Sequence, residues 1–119
     1  MTGELQLARY FASVDGADPR SALELVPPSL AFAFVRPDST IAGGRAELEQ
    51  FIHARPRREH RLLAAFGRGH VQLAVGESVE GDEIVGTFQV VMHIDDEGLI
   101  ERYYAAVHPA LHLRPGGGS

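Results

Sequence analysis

Four side chains of this sequence could move a proton in an apolar setting. Glu77 interrupts the alternating stretch 71–79, which is otherwise apolar on that strand face. Tyr10 falls in an amphipathic helical pattern, His60 opens a strand pattern, and Glu101 stands in the alternating run IERYYAAV. A carboxylate or an imidazole can abstract a proton, and a phenol can donate one. Acid–base chemistry is therefore possible, and the elements that hold these residues decide whether they meet.

The six histidines raise the question of a metal site. His108 and His112 have the spacing of a helical metal pair, but Pro109 and the surrounding strand pattern spoil that geometry. His93 is expected on an outer strand face. The chain also has no cysteine. The sequence therefore predicts no metal and no cofactor.

A run of arginines crowds one connection, RPRREHR, in which Arg55, Arg57, Arg58 and Arg61 lie close in sequence. Guanidinium forks match oxyanions, so the cluster could bind an anionic ligand. A solvated turn after the helix-ending Pro56 is the simpler interpretation. The formal net charge of −5 argues against a nucleic-acid surface over the whole domain, because phosphate binding needs accumulated positive charge.

Length and hydropathy indicate one ordinary domain. A chain of 119 residues can bury a core without disulfides. The sequence lacks a run of apolar residues long enough to span a bilayer, and its start, MTGELQLARY, does not match a signal peptide. We expect a cytoplasmic protein without membrane or nucleic-acid partners. The domain is expected over residues 1–113, with a flexible tail over 114–119.

Helices are predicted in the first half of the chain. An amphipathic helix over about 3–14 follows from apolar residues at helical spacing, namely Leu7, Tyr10, Phe11 and Val14. A second short helix begins at Pro19 and stops before Pro27. The stretch RAELEQFIHAR repeats the helical pattern over 45–55 and stops at Pro56.

Strands account for most of the remainder. The stretch LAFAFVR predicts a strand over 30–36, and PDSTIAGG predicts a loop after it. Four more strands are predicted over about 60–66, 69–79, 83–95 and 99–108, joined by glycine-bearing hairpin turns. The class is therefore α+β, with helices on one side of a curved antiparallel sheet. The space between helices and sheet is the candidate pocket.

Three stretches carry a resemblance over residues 3 to about 107. In order, they are RYFASVDGADPRSALELV, AGGRAELEQFI and FQVVMHIDDEGLIERYYA. The chain resembles the nuclear transport factor 2-like superfamily, also called cystatin-like, and particularly its SnoaL-like bacterial branch. The resemblance implies a cone-shaped sheet packed on three helices from the N-terminal half of the chain, with a pocket between them. It also implies a homodimer through the outer sheet face, here including Gln89, Val91, His93 and Tyr104.

Ketosteroid isomerase is the member of this superfamily whose mechanism makes the most specific demands on residue types. Its mechanism needs a tyrosine and an aspartic acid as hydrogen-bond donors and a second aspartate as a proton shuttle. Tyr10 stands in the place of that tyrosine. The resemblance puts Phe34 where the shuttle should be and Val90 where the donor should be. A phenol without its base cannot transfer the proton, so steroid isomerisation is not expected.

The same alignment turns Glu101 and Tyr103 towards the pocket, which makes Glu101 the first candidate for a general base. Glu77 is the second, and His60 stands where SnoaL-like sequences often carry histidine. Either glutamate could instead be solvated at the pocket mouth, and Tyr10 could simply anchor its helix in the core. The expected ligand-binding residues are Tyr10, Phe34, Phe51, Phe88, Val90, Met92 and Tyr103.

Two functions stay open at this point. One is a domain that binds a small apolar molecule between sheet and helices. The other is a cofactor-independent isomerase, cyclase or hydrolase that uses a pocket glutamate as base. Two ionisable groups within hydrogen-bond reach at one buried cavity would favour the enzyme.

Overall fold

Residues 5–54 and 58–109 are described by the structure, a computed structural model. They form three helical segments: α1 (Gln6–Val14), a 3₁₀ helix (Pro19–Leu25) and α2 (Arg45–Ala54). They also form six strands: β1 (Ala31–Arg36), β2 (Ser39–Gly43), β3 (Glu59–Arg68), β4 (Val71–Glu80), β5 (Glu83–Ile94) and β6 (Ile100–His108). The predicted tail over 114–119 lies outside the described residues.

One six-stranded sheet has the order β2-β1-β6-β5-β4-β3. Helices pack against one face of this curved, unclosed sheet, and the predicted α+β class is confirmed. The sheet is mixed because β1 pairs in parallel with β6, with Phe34 opposite Ala105. A parallel pair needs a long crossover, and the chain from β2 through β5 supplies it.

The prediction of a loop over 37–44 is wrong, because most of this segment forms β2. Pro37 and Asp38 make a tight turn, after which Ser39 pairs with Arg36 and Ile41 pairs with Phe34. Ile41 alone among the β2 side chains is a large hydrophobic group packed against the core. A short edge strand with one inward apolar residue leaves almost no alternation in the sequence, and this is why the pattern suggested a loop.

The later strands are confirmed, with ends shifted by at most two residues from the predicted ones. The β5–β6 turn shows how local sequence sets a hairpin. Gly98 has a φ of +84°, which glycine adopts without steric cost. The carboxylate of Asp95 accepts hydrogen bonds from the backbone N–H groups of Glu97 and Leu99, both at 2.9 Å.

The predicted helices are present, and the second is a 3₁₀ helix rather than an α-helix. Its first turn is closed by the Ser21 backbone N–H, which donates to the Asp18 carbonyl oxygen at 3.0 Å. Such i→i+3 bonding suits a short segment between a proline at its start and Pro27 after its end. Neither α1 nor any other helix in the described ranges has the length and apolarity needed to cross a membrane.

Glycine at position 76 allows close packing at the centre of the core. A Cβ atom at Gly76 would lie 2.8 Å from Cζ of Phe88, its cross-strand partner. The Phe88 ring therefore lies directly on the β4 backbone. The core around it contains buried side chains from the helices and from the inner sheet face, including Leu7, Tyr10, Phe11, Leu48, Ile52, Val90, Met92 and Ile100.

On the opposite sheet face, one apolar row crosses five strands in register. It runs from β3 to β1 through Phe66, Leu73, Val91, Tyr104 and Ala33. Phe66, Val91 and Tyr104 are exposed by 59%, 44% and 45%. We call these five residues the outer row. Because the helices cover only the other face of the sheet, the large apolar side chains of the outer row lie at the protein surface.

Candidate functional site

A cavity of about 50 Å³ lies between the helices and the inner sheet face. Typical ligand pockets measure about 300–1,000 Å³, so this one is small in the structure as it stands. Side chains from both α-helices and from five strands line it: Tyr10, Phe11, Val14, Phe34, Arg36, Phe51, Ile52, Arg58, His60, Ser78, Phe88, Tyr103, Ala105 and Val107.

Aromatic rings supply half of the cavity wall, seven of the fourteen lining residues when the imidazole of His60 is counted. Phe34 and Phe51 lie with ring centroids 4.7 Å apart, and Tyr10 meets Tyr103 edge to face at 5.1 Å. Such offset and edge-to-face pairs are favourable arrangements that fix ring positions. The wall is therefore apolar and largely preformed, and the few polar groups in it decide what chemistry is possible.

His60 is the main polar residue of the cavity wall, and Asp15, which is not among the lining residues, holds it in place. His60, at the start of β3, places its Nδ1 2.7 Å from Oδ1 of Asp15, just beyond the end of α1. The backbone N–H of His60 donates to the other carboxylate oxygen, also at 2.7 Å. Both side chains are 16% exposed. Because an ionised carboxylate only accepts hydrogen bonds, Nδ1 carries the hydrogen.

The His60 ring is also held by two phenylalanines. Phe11 lies 4.8 Å from it in a tilted arrangement, and Phe88 lies 5.3 Å away, edge to face. No described residue is hydrogen-bonded to Nε2. In the neutral imidazole, this nitrogen bears the lone pair. The geometry thus presents an oriented base at an apolar cavity, as general acid–base chemistry requires.

Two arginines and one serine add to the polar part of the wall, which also includes Tyr10 and Tyr103. Arg58 lies 2.6 Å from Oε2 of Glu80, through its Nε. Arg36 is exposed, and its Cζ lies 5.2 Å from the centre of the Phe34 ring. Ser78 is buried and sits opposite His60 in the β3–β4 register. Of the predicted arginine cluster, Arg58 thus lines the cavity, while Arg55 and Arg57 lie outside the described residues.

Five of the seven residues expected to bind a ligand line the cavity: Tyr10, Phe34, Phe51, Phe88 and Tyr103. The other two, Val90 and Met92, are 1% and 0% exposed and belong to the packed core instead. Their strand face was predicted correctly. Core side chains such as Leu7 and Leu48 fill the space on that face, so the cavity does not reach Val90 and Met92.

The expectation that Glu101 faces the pocket is wrong, because Glu101 is not one of the lining residues. A register shift pairs Ile94 with Ile100 and His93 with Arg102, leaving Glu101 as the extra residue of a bulge. A bulge interrupts the alternation of faces. Glu101 consequently lies outside the cavity wall, with Oε1 3.1 Å from Nδ1 of His93.

Glu77, the second predicted base, also lies away from the cavity. Its neighbour Ser78 lines the cavity, and alternation along β4 turns Glu77 to the opposite face. There it is fully buried, with Arg61 and Thr87 as its cross-strand neighbours. Of the four candidates for proton transfer, the structure brings together His60 and Tyr10, and it separates both glutamates from them.

Asp15 and Arg36 were missed as site residues. Asp15 stands in VDGAD, directly after the predicted helix over 3–14, and Arg36 ends the predicted strand over 30–36. A residue directly after a helix can point back at a neighbouring strand, but nothing in the sequence pairs position 15 with position 60. Arg36 carried a usable signal, because it shares a strand face with Phe34.

Metal ligation finds no support in the described ranges, which contain no group of three or more histidine or acidic side chains arranged around a metal position. His108 ends β6, and His112 lies outside the described residues. The expectation of a metal-free, cofactor-free protein stays a prediction.

Comparison with solved structures identifies the fold. One similar structure is a protein of the SnoaL-like family from Agrobacterium tumefaciens, provisionally assigned as an isomerase. It aligns with a TM-score of 0.70 and 16% identity, and the alignment covers 86% of this chain and 93% of the other. A provisionally assigned ketosteroid isomerase from Kribbella flavida gives a TM-score of 0.71 and 20% identity, covering 93% and 81%. A nuclear transport factor 2-like protein of unknown function from Cytophaga hutchinsonii gives 0.69 and 11%, covering 92% and 96%.

No family model and no curated protein matches the chain. At these identities the structural matches show the fold alone, and this fold carries unrelated functions. The chain has the SnoaL-like, nuclear transport factor 2-like fold that the sequence resemblance implied.

Proposed function

We propose that the chain binds a small, largely apolar molecule in this cavity and abstracts a proton from it with His60. The observation that carries the proposal is the pair of 2.7 Å contacts by which Asp15 fixes His60 at the cavity wall. The Asp15 carboxylate orients the imidazole through Nδ1, which leaves Nε2 available as a base. His60 thereby takes the role that the sequence suggested for a glutamate.

The reaction class follows from what one base can do without a cofactor. The C–H bond next to a substrate carbonyl breaks, its proton goes to Nε2, and its electron pair moves onto the carbonyl oxygen. Where the substrate also carries a C=C bond next to the reacting carbon, the imidazolium can return the proton to the far end of the resulting dienolate, which is an isomerisation. In a dicarbonyl substrate the enolate can instead attack the second carbonyl, which closes a ring, and the imidazolium then protonates the new alkoxide. Ser78 stands opposite His60 and can donate a hydrogen bond to the developing oxyanion.

Steroid isomerisation does not fit this site. Phe34 lines the cavity and Val90 is buried in the core, so neither position supplies a carboxylate. A cavity of about 50 Å³ also lacks room for a fused ring system. The substrate is expected to be far smaller.

Hydrogen–deuterium exchange tests the proposal directly. Acetone, butanone and acetoacetate are incubated with the protein in deuterated buffer, and loss of their C–H signals is followed by proton NMR. His60→Gln keeps a hydrogen-bonding side chain but removes the base, and it is expected to slow exchange roughly a hundredfold or more. His53→Gln, which makes the same substitution at an exposed position of α2 outside the cavity wall, is the matched control.

Binding without turnover is the second candidate. It is favoured by the small cavity and by the four phenylalanines in its wall, Phe11, Phe34, Phe51 and Phe88. Ligand-observed NMR with the same compounds separates the two functions. Saturable binding without an exchange rate above that in buffer alone would contradict the proton-transfer proposal. It would support binding without turnover instead.

A homodimer through the outer sheet face is part of the proposed function. It is supported by the outer row, which exposes Phe66, Val91 and Tyr104 in one line across the sheet. Contiguous exposed apolar side chains of this kind mark interaction surfaces. A second copy can present the same row, since twofold dimers use one self-complementary patch.

A further inference from the structure

Arg36 is an exposed cation placed at the edge of an apolar cavity. It ends β1, lines the cavity, and rests on the Phe34 ring at a cation–π distance of 5.2 Å. Within the described ranges no carboxylate oxygen lies within 4.0 Å of its guanidinium. Arg58, the other arginine of the wall, is paired with Glu80. Arg36 is therefore available to an anion from outside the chain.

We infer that the ligand of this cavity is a short carboxylic acid whose carboxylate binds Arg36 while its apolar body contacts Phe34 and Phe51. This inference rests on the proposed function and names the ligand class of the same site. The guanidinium fork matches a carboxylate with two parallel hydrogen bonds. The Phe34 and Phe51 rings, 4.7 Å apart, supply an apolar surface beside it.

Cavity size limits the body of the acid. One water-sized group needs roughly 10–15 Å³ of such a cavity, so 50 Å³ admits about three to five groups of that size. A branched acid such as 3-methylbutanoate has a body of that size, whereas an aromatic acid does not. A carboxylate is favoured over a phosphate because Arg36 offers one positive charge on a protein with a net charge of −5.

The test uses a matched pair of probes that differ only in charge. Binding of 3-methylbutanoate and of 3-methylbutanamide is measured on the full chain by chemical-shift titration, with methyl phosphate as a further anion. The variants are Arg36→Gln and Arg36→Lys. Arg68→Gln, which makes the same charge change at the far end of β3, is the control.

The acid is expected to bind the unmodified protein roughly tenfold more tightly than the amide, from one charged pair at a partly exposed site. Arg36→Gln should remove that preference, so that acid and amide bind equally, and the dispersion of its backbone amide signals in the same titration shows whether the variant is folded. Arg36→Lys should keep part of the preference, because it keeps the charge but loses the fork. Arg68→Gln should behave as the unmodified protein.

Contrary results separate the two proposals. Equal binding of acid and amide would overturn the inference that the ligand is a carboxylate, and so would an Arg36→Gln variant that keeps the preference for the acid. Either result would still support the cavity as a binding site. Tighter binding of methyl phosphate than of the acid would overturn it in favour of a phosphate ligand. If neither 3-methyl compound binds at all, the carboxylate inference fails, and the exchange experiment with ketones decides the proposed function by itself.

Discussion

Asp15 holds His60 at two points, the ring Nδ1 and the backbone N–H, with both contacts at 2.7 Å. A carboxylate can accept both hydrogens at once, one on each oxygen. The contact joins the end of α1 to the start of β3, across 45 residues of sequence. The same pair thus fixes the orientation of a candidate base and ties a helix to the sheet.

Replacing this carboxylate by an amide should disrupt the base even though the shape is kept. The amide of Asp15→Asn can accept only one of the two hydrogens. The NH₂ group of the asparagine then faces either the backbone N–H of His60 or the ring Nδ1. Two donors cannot pair, so in the second arrangement Nδ1 must lose its hydrogen in order to accept. In the second case the hydrogen moves to Nε2, and the base is lost. We expect C–H exchange to slow at least roughly tenfold, measured by proton NMR in deuterated buffer.

The ring tautomer gives this prediction a second readout. Nitrogen-15 NMR of His60 should show Nδ1 protonated in the unmodified protein and a different tautomer or a mixture in Asp15→Asn. An unchanged tautomer together with unchanged exchange would contradict the positioning role of Asp15.

Substituting the bulge glutamate should leave the chemistry intact. Glu101 contacts His93 at 3.1 Å and does not line the cavity, so Glu101→Gln is expected to alter the exchange rate by less than about twofold, as for surface changes away from a site. The measurement is the same exchange assay, run beside His60→Gln. A large loss in Glu101→Gln alone would return the general base to the position that the sequence alignment suggested.

Adding a methyl group at Gly76 should destabilise the core. The new Cβ would lie 2.8 Å from Phe88 Cζ and even closer to the backbone oxygen of Arg61. Overpacking of this kind costs about 1–3 kcal/mol, and a drop of 1 kcal/mol lowers Tm by about 4–8 °C in a domain near this size. Gly76→Ala should therefore melt well below the unmodified protein in calorimetry.

Gly67→Ala on the neighbouring strand is the matched control for that experiment. Its added Cβ would meet side-chain atoms of Gln72 and Leu5 at 3.1 and 3.2 Å, and those side chains can move. A Gly76→Ala protein with unchanged Tm would mean that the Phe88 ring is not held against β4 in solution.

A charge in the outer row should break the proposed dimer. Val91 is 44% exposed and lies between Leu73 and Tyr104 in the register. Val91→Glu places a carboxylate opposite its own copy in a twofold interface, where desolvation and repulsion oppose association. Light scattering should show a dimer for the unmodified chain and a monomer for Val91→Glu.

Gln50→Glu, on the exposed side of α2, makes the same charge change away from the sheet and should stay dimeric. A monomeric unmodified protein at every accessible concentration would contradict the dimer, whatever the variants do.

Local patterns predicted most elements of the fold and few contacts of the site. Glycine-bearing turns and alternating strands placed β3 to β6 to within two residues, because hairpin turns and strand faces are encoded locally. The bulge that displaces Glu101 comes from the register between two strands, so alternation along β6 alone could not show it. The Asp15–His60 contact is tertiary, and no spacing in one sequence encodes it.

The parallel pairing of β1 with β6 has a consequence for synthesis on the ribosome. Since β6 separates β1 from β5, the hairpin of β1 and β2 has no sheet to join until residues 100–108 have left the exit tunnel. Non-local pairing of this kind is slow to form and leaves apolar faces uncovered meanwhile. Nascent chains stalled before β6 emerges should therefore be cleaved readily by protease, whereas chains stalled well after it should resist. Protease resistance in the shorter chains would mean that β3 to β5 fold with the helices before β6 is available. Protease sensitivity would mean that this domain commits to its structure only once β6 has emerged from the tunnel.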